Sequence, residues 1–183
     1  MAILDIRKFP DPVLRKVAAP VVRFDDELTQ IVTDMAETMY AEPGVGLAAP
    51  QVGISLRLFI GDGTIFGFEE GTTVVFANPE ILSSEGEQEG DEGCLSFPGI
   101  YERVDRPNRC RVRAQDIHGV PFELDCEGLG CRAIFHELDH LEGRLMIDYL
   151  SPLKRQLVRK EAKKGYPNNA RRQKDKAHRE ISA

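Results

Sequence analysis

The feature that most constrains this sequence is His-Glu-Leu-Asp-His at residues 136–140. On an α-helix, residues four apart lie on one face, so the side chains of His136 and His140 can reach the same metal ion. Glu137 borders that face and is placed to reach a water molecule on the metal. A catalytic metal usually takes three protein ligands and leaves one position open for water. The motif therefore predicts a helix with two ligands, and the rest of the chain must supply a third ligand and a substrate cleft.

The same segment also has the pattern of an ordinary amphipathic helix. Ile134, Leu138 and Leu141 form an apolar stripe, and Gly143 is suited to the end of a helix. A surface helix with two solvated histidines would carry the same pattern. The choice between the two interpretations depends on whether other segments complete a metal site.

The composition indicates a globular protein with a real core. The chain has 183 residues, of which 42% are hydrophobic and 30% charged, and no apolar run has the length needed to cross a membrane. The first residues lack the charged-then-apolar layout of a signal peptide. The four cysteines do not suggest a disulfide framework in a chain of this size and fit a reducing compartment. We therefore expect one cytoplasmic domain over residues 1–165, catalytic if the metal interpretation of the motif holds. A basic polar tail, disordered, is expected over 166–183.

The charge is unevenly distributed along the chain. Residues 151–183 hold 11 Lys and Arg against 3 Asp and Glu, whereas residues 1–150 hold 13 against 27. A basic end on an acidic body is typical of a contact with nucleic acid or the ribosome, although a solvated helix face gives the same composition.

Two helices besides the motif helix are predicted from periodicity and end signals. Between residues 25 and 41, apolar side chains recur at helical spacing, Asp25 or Asp26 can cap the start, and Pro43 with Gly44 ends the pattern. Near the other end of the chain, Ser151 is suited to capping, Pro152 fits the first helical position, and a helix is expected to run to Gly165.

Strand patterns dominate the middle of the chain. Residues 54–60 alternate as a half-buried strand, and Thr73 to Ala77 predict a second strand that Asn78-Pro79 closes. The acidic residues 83–92 are expected to form an exposed loop.

A hairpin is expected next. Cys110, Val112 and Ala114 alternate with arginines, and a turn at 116–119 leads into a further strand at 120–126. Together these elements predict an α+β fold, with short antiparallel β-sheets packed around a central metal-binding helix, an N-terminal helix and a C-terminal helix.

The cysteines differ in their surroundings. Cys94 alone is predicted to lie in a glycine-flanked loop, where it is either a buried thiol or a ligand. Cys110 alternates as a core residue. Cys126 and Cys131 flank the start of the motif helix and fit the core better than a metal site.

Three segments, taken in order, resemble the peptide deformylase family. They are Gly-Val-Gly-Leu-Ala-Ala-Pro-Gln at 44–51, Glu-Gly-Cys-Leu-Ser at 92–96 and His-Glu-Leu-Asp-His at 136–140, and Pro-Asp-Pro-Val-Leu-Arg at 10–15 is similar to the start of that family. The resemblance extends from about Pro10 to Leu153. It implies the same α+β fold and an enzyme that hydrolyses the N-formyl group from the N-terminal formyl-methionine of nascent polypeptides, releasing formate.

The resemblance also implies roles for individual residues. The metal ligands would be Cys94, His136 and His140, with Glu137 as general base and acid. Gln51 and the backbone N–H of Leu95 would hold the oxyanion. The substrate-binding residues would be Val45, Gly46 and Gly93 along the peptide groove, and Leu129, Arg132 and Ala133 at the methionine pocket.

Two positions depart from the family pattern. Phe135 stands where the family often has Gln, which affects the packing behind the ligands. Tyr101 stands where some members have an arginine near the second substrate residue, so the preference beyond methionine is open.

The metal and the partners follow from the same resemblance. It implies Fe²⁺, with Zn²⁺ often found in its place, and a cysteine–histidine set also suits Ni²⁺ or Co²⁺. Expected partners are formyl-methionyl nascent peptides and the ribosome, through the basic C-terminal helix, with no membrane and no DNA. A zinc endopeptidase and an inactive metal-binding module remain as alternatives, and neither requires all three segments.

Overall fold

Three helices and seven strands form an α+β fold in the computed structural model, which describes residues 2–166. The elements are α1 (Asp26–Ala41), β1 (Gly46–Ala48), β2 (Leu58–Asp62), β3 (Thr73–Glu85), β4 (Asp91–Cys94), β5 (Phe97–Arg103), β6 (Arg109–Gln115), β7 (Pro121–Glu127), α2 (Gly128–Leu141) and α3 (Pro152–Lys163). The predicted fold class is confirmed.

Two antiparallel sheets surround the central helix α2. The larger has the strand order β1-β2-β3-β6-β7, and the smaller is the hairpin of β4 and β5. Helix α2 contacts β1, β2, β6 and β7. Because strands from both ends of the large sheet reach α2, residues far apart in sequence meet on its surface.

Helix α1 forms as its sequence pattern predicts. The Asp25 side chain caps it by accepting a hydrogen bond from the Leu28 backbone N–H at 3.1 Å. Met35 and Met39 are fully buried in a cluster with Leu47 and other residues of the large sheet. This apolar face holds α1 against β1 and β2.

Strand β2 differs from its prediction. It begins at Leu58 rather than at residue 54, and it is buried on both faces rather than half-buried. Leu58 and Ile60 pack into the cluster beneath α1, whereas Phe59 stacks on Phe76 in the cluster that includes residues of α2. The alternating pattern of residues 54–60 therefore gave the wrong start and the wrong exposure for this strand, because both of its faces are covered.

Strand β3 also differs, since it continues through Asn78-Pro79 to Glu85. The pairing with β6 shifts register between Ala77 and Glu80, and Asn78 has a φ of 50°. The Asn78 side chain binds the backbone N–H and C=O of Val21, which stabilises this irregular point. A bulge thus accommodates the proline that was expected to end the strand.

The predicted exposed loop at 83–92 is shorter than expected. Only residues 86–90 lie between β3 and β4, and Glu92 within β4 is 4% exposed. The prediction that Cys94 lies in a loop is wrong as well, because Cys94 is the last residue of β4.

The hairpin of β6 and β7 is confirmed. Cys110, Val112 and Ala114 are buried on one face of β6, and Cys126 and Cys131 are buried in the same cluster. All four cysteines of the chain are free thiols.

The end of the described chain packs on the body. Val158 of α3 is buried in a cluster with Cys94 and Phe97, and the Tyr166 hydroxyl donates to the Phe9 backbone oxygen at 2.8 Å. Of the tail expected at 166–183, only Tyr166 is described, and residues 167–183 lie outside the described residues. Among residues 2–166, no helix combines the length and apolar character needed to cross a membrane.

Candidate metal centre

The structure brings the three predicted ligands together. Helix α2 places His136 and His140 one turn apart on one face, and the end of β4 places Cys94 opposite them. The Cys94 Sγ lies 3.3 Å from the His140 Nε2, which lies 3.3 Å from the His136 Nε2. All three donor atoms lie within 4.8 Å of one another, and all three residues are buried.

The spacing of these atoms fits a tetrahedral metal site. Nitrogen ligands bound at roughly 2.0–2.1 Å in tetrahedral geometry lie about 3.3 Å apart, and the two imidazole nitrogens are separated by that distance. One thiol and two imidazoles are a donor set that suits a divalent transition metal. The residues present therefore fit such an ion.

The orientation of His136 is fixed by the buried carboxylate of Glu92. The His136 Nδ1 lies 2.5 Å from the Glu92 Oε1, which directs the Nε2 towards Cys94 and His140. Arg106 binds both Glu92 oxygens, at 3.0 and 2.7 Å, and also binds Asp139 at 2.8 Å.

Arg132 is a further partner of this carboxylate. Its Nη1 donates to the Glu92 Oε2 at 3.0 Å and to the Val104 backbone oxygen at 2.7 Å. Two arginines thus compensate the buried negative charge that holds His136, as a buried charge requires.

The pKa values of the cluster follow from burial and neighbouring charges. Burial raises the pKa of Glu92, but His136 and Arg106 outweigh it and hold that pKa well below its usual range. Burial lowers the pKa of His136, but Cys94 and Glu92 raise it well above its usual range. Burial and His136 together hold the pKa of His140 well below its usual range, which favours the neutral, metal-binding form of that ring.

Glu137 is a buried carboxyl group beside the ligands. Burial raises its pKa to about 7, and its Oε2 has no hydrogen-bond partner among the described residues. A bound divalent cation would favour the charged form of this group. A carboxyl group with a free oxygen and a pKa near neutrality is suited to accepting and returning a proton.

The segment 44–51 packs against α2 and lies beside the candidate metal site. A Cβ atom built on Gly46 would lie 2.7 Å from the Glu137 Oε1, so the absence of a side chain at residue 46 leaves the room that Glu137 occupies. A Cβ atom on Gly44 would contact the Leu95 side chain at 3.0 Å. The first motif therefore lies directly against the other two.

The side-chain amide of Gln51 is held in one orientation. Its Oε1 accepts a hydrogen bond from the Ala48 N–H at 2.9 Å, and its Nε2 lies 3.4 Å from the Cys94 Sγ and 3.2 Å from the Ser96 Oγ. The amide donor therefore points towards the ligand cluster. Leu95, the other predicted oxyanion donor, follows Cys94 directly and is half-buried.

The predicted substrate-binding residues lie in different surroundings. Val45 precedes β1, and its backbone oxygen accepts from the Asp62 N–H at 2.9 Å. Leu129 is half exposed on the first turn of α2, whereas Ala133, one turn later, is buried. Arg132 is engaged with Glu92 as described above. Their contacts with substrate stay predictions.

The two positions that depart from the family pattern lie beside the centre. Phe135, next to His136 in sequence, is half-buried and packs against the core cluster that includes Phe59 and Phe76. The Tyr101 ring covers Gly93, its cross-strand partner between β4 and β5. Gly93 therefore provides the space for an aromatic ring next to the predicted peptide groove.

Sequence reasoning missed Glu92, Arg106 and Asp139. The prediction of an exposed acidic loop assigned Glu92 to solvent. The strand period contained a usable signal, because residues two apart in a strand point to the same face and Cys94 was already a candidate ligand. No comparable local signal identifies Arg106, which reaches the cluster through tertiary packing alone.

Comparison with known proteins agrees with this geometry. The sequence model of the polypeptide deformylase family matches residues 3–156. Peptide deformylase 1 of Burkholderia multivorans is 51% identical over 90% of both chains, and peptide deformylase of Pseudomonas aeruginosa is 47% identical over 93% of this chain and 100% of its own.

Solved structures show the same fold. A peptide deformylase from Legionella pneumophila has a TM-score of 0.83 and 49% identity, covering 89% of this chain and 95% of its own. A peptide deformylase from Ehrlichia chaffeensis in complex with actinonin has a TM-score of 0.85 and 34% identity, covering 92% and 100%. With the family model matching most of its length, this chain belongs to the polypeptide deformylase family.

Proposed function

We propose that this protein is a metal-dependent hydrolase that removes the N-formyl group from the formyl-methionine of nascent polypeptides and releases formate. The observation that carries this proposal is the meeting of three distant sequence motifs at one buried point, where Cys94, His136 and His140 converge beside Glu137. The relatives named above are peptide deformylases by name, and they align with nearly the whole chain.

The reaction needs an activated water and a proton carrier. A divalent ion held by Cys94, His136 and His140 would supply a Lewis acid that lowers the pKa of water from about 16 towards 7. Glu137 takes the proton from the attacking water and later gives it to the leaving amine. Its burial supports this role, as does its Oε2, which is unpaired within the described part of the chain.

Attack on the formyl carbon places negative charge on the formyl oxygen. The Gln51 amide and the Leu95 N–H donate to that oxygen in the proposal. Gln51 is pre-oriented by Ala48 and Ser96, so it loses little entropy on donating. Removing one such donor commonly raises the barrier by about 3–4 kcal/mol.

Selectivity for formyl over larger acyl groups is steric, because the site has little room beside the carbonyl carbon in the proposal. A site that fits a hydrogen atom on the carbonyl carbon excludes a methyl group. The test is to measure formate release from a formyl-methionyl tripeptide beside acetate release from the matched acetyl-methionyl tripeptide. We expect turnover of the formyl peptide only, and equal turnover of both peptides, or of neither, would overturn the proposal.

A substitution at Gly46 tests whether the position of the Glu137 carboxyl group matters for catalysis. In Gly46→Ala, the new methyl group displaces the Glu137 carboxyl group, and we expect kcat for the formyl peptide to fall by about 100-fold, the usual scale for a misplaced catalytic group. Gly71→Ala is the control, because the added Cβ meets nothing within 4 Å but strains a backbone with φ of 83°. It should lower the unfolding midpoint and leave kcat unchanged. Normal kcat in Gly46→Ala would contradict the assignment.

The native ion is proposed to be Fe²⁺, with Zn²⁺, Ni²⁺ or Co²⁺ as substitutes. The donor set of one thiolate and two imidazoles supports any of the four. A thiolate on ferrous iron in an open site would make activity sensitive to oxygen.

We expect the enzyme to act in the cytoplasm, because its proposed substrates are nascent chains that emerge there.

The basic helix α3 is proposed to bind the ribosome. Exposed cations on the helix and at its C-cap include Arg159, Lys160, Lys163 and Lys164. Ribosomal RNA attracts such a surface in a salt-dependent way. Val158 of the same helix is buried with Cys94 in the core, so deleting the helix would disturb the active site. Exposed charges are therefore a better target than truncation.

The corresponding test replaces the four exposed cations with glutamate. We expect turnover of the short formyl peptide to stay within about twofold, since these side chains are exposed and lie outside the candidate metal centre. Co-sedimentation with ribosomes at low salt should be lost. The control replaces two exposed cations elsewhere, Lys8 and Lys16, by glutamate. Equal pelleting of the α3 variant and the parent protein would leave α3 a solvated basic helix.

A further inference from the structure

A second group of sulfur atoms lies outside the metal centre. Cys110 of β6 and Cys126 of β7 are direct cross-strand partners, and Cys131 on the first turn of α2 lies in the same buried cluster. None of the three is a member of the candidate metal site. The proposed deformylation uses none of them.

The register of β6 and β7 places two thiols within bonding range. Residues directly opposite in an antiparallel pair have Cα atoms about 4.5–5.5 Å apart, and a disulfide usually spans about 4.4–6.8 Å between Cα atoms. Cys110 and Cys126 are both buried against the core while their strand neighbours are exposed, so the two side chains share one face of the hairpin. The backbone therefore needs no large movement to join them.

Cys131 contacts the Cys110 thiol and a backbone oxygen. Its Sγ donates to the Pro107 backbone oxygen at 3.3 Å, and the side chain is fully buried. Burial and the neighbouring Cys110 raise the pKa of the Cys131 thiol to about 12, which favours the protonated form. Cys131 is thus a poor competitor for oxidation.

The cross-strand pair lines an open cleft. A cleft of about 570 Å³ is lined by Cys110 and Cys126 and bordered by Arg109, Arg111 and Asp125. A hydrogen bond from Cys110 lowers the pKa of Cys126, although burial, Cys131 and Asp125 oppose this effect, and the same contact raises the pKa of Cys110. Cys126 is therefore the thiol that reacts first, since the thiolate is the nucleophile.

We propose that Cys110 and Cys126 form a reversible oxidation site whose co-substrate is a hydroperoxide and whose product is a disulfide across β6 and β7. The Cys126 thiolate attacks one peroxide oxygen and the O–O bond breaks, which gives a sulfenic acid. The leaving oxygen takes up the proton that the Cys126 thiol gave up and departs as water or an alcohol. The Cys110 sulfur then attacks the Cys126 sulfur, the S–O bond breaks, and the hydroxide leaves with the Cys110 proton as water. The two thiols together lose two electrons, and one peroxide molecule gains them.

The test is fragment mapping of the full-length chain after graded hydrogen peroxide and alkylation of the remaining thiols. Cleavage after glutamate separates all four cysteines, with Cys94 on 93–102, Cys110 on 103–123, Cys126 on 124–127 and Cys131 on 128–137. We expect fragment 103–123 to become linked to 124–127, with the loss of two hydrogens, and the link to disappear with dithiothreitol. Cys131→Ala, the matched control, should keep the link.

Two variants separate chemistry from folding. Cys126→Ser should abolish the link. Cys110→Ala, which keeps the reacting thiol but removes its partner, should leave a Cys126 sulfenic acid that dimedone traps. A link from 103–123 to 128–137, or peroxide consumption confined to Cys94, would overturn the proposal. This outcome is independent of deformylase activity.

Discussion

Glu137→Gln is expected to lower the rate of formate release by about 100- to 10,000-fold, the usual cost of removing a general acid–base. The amide keeps the shape of the side chain beside Gly46 but cannot carry the proton. Because Glu137 is not one of the three converging donor atoms, metal content should be unchanged. Formate release from a formyl-methionyl peptide and elemental analysis of the same sample measure both quantities.

The control for this variant is Glu161→Gln, at an exposed position of α3. It makes the same chemical change far from the centre and should leave both the rate and the metal content unaltered. Near-normal formate release in Glu137→Gln would show that another group moves the proton.

Cys94→Ala is expected to abolish metal binding and, with it, activity. The two imidazoles that remain make an incomplete set, since a catalytic ion usually takes three protein ligands. Cys110→Ala and Cys131→Ala are matched controls, because both remove a buried thiol that lies outside the ligand cluster. Metal-to-protein ratios after anaerobic purification distinguish these variants.

The controls should keep about one ion per chain, even where cavity formation lowers their stability. Full metal occupancy in Cys94→Ala would mean that a different group completes the site.

Much of this architecture was predictable from local sequence. Helix α1 followed from its apolar period and from the cap at Asp25, and the β6–β7 hairpin followed from the alternation around Cys110. Helix α2 followed from the spacing of His136 and His140. In α1 and the hairpin, one face is buried and the other is more exposed, so the period is visible in the sequence. Helix α2 is buried nearly all round, and there the histidine motif supplied the signal.

The errors have a common physical cause, which is burial by distant parts of the chain. Strand β2 is covered on both faces, so Phe59 is as buried as Leu58 and the alternation carries no information about which face is solvated. Strand β3 passes Pro79 because a register shift and the Asn78 side chain accommodate it. Glu92 looked like part of an acidic loop, but Arg106 and His136 neutralise it inside the protein.

Only the residues of the candidate site that lie within the three sequence motifs and were assigned by the resemblance could be predicted. The resemblance supplied Cys94 and Gln51, and the structure places both at the same point as the histidines. The charge network of Glu92, Arg106 and Asp139 depends on contacts between β4, the segment after β5 and α2. No single sequence window contains those three elements.

The alternatives considered for the sequence make different demands on the site. A zinc endopeptidase would not need a cysteine at residue 94. An inactive module would not need a buried Glu137 against Gly46 with one oxygen unpaired among residues 2–166. The structure contains both features, and the family of the chain is that of the polypeptide deformylases. The proposed reaction uses each of them.

The central claim, that one bound ion supports deformylation, is tested most directly by titrating metal into chelator-treated protein under anaerobic conditions. Formate release from a formyl-methionyl peptide is followed alongside metal content. The structure predicts no turnover in the metal-free protein, and turnover that rises linearly with Fe²⁺ and saturates at one ion per chain. Full turnover in metal-free protein, or saturation only at several ions per chain, would contradict the claim.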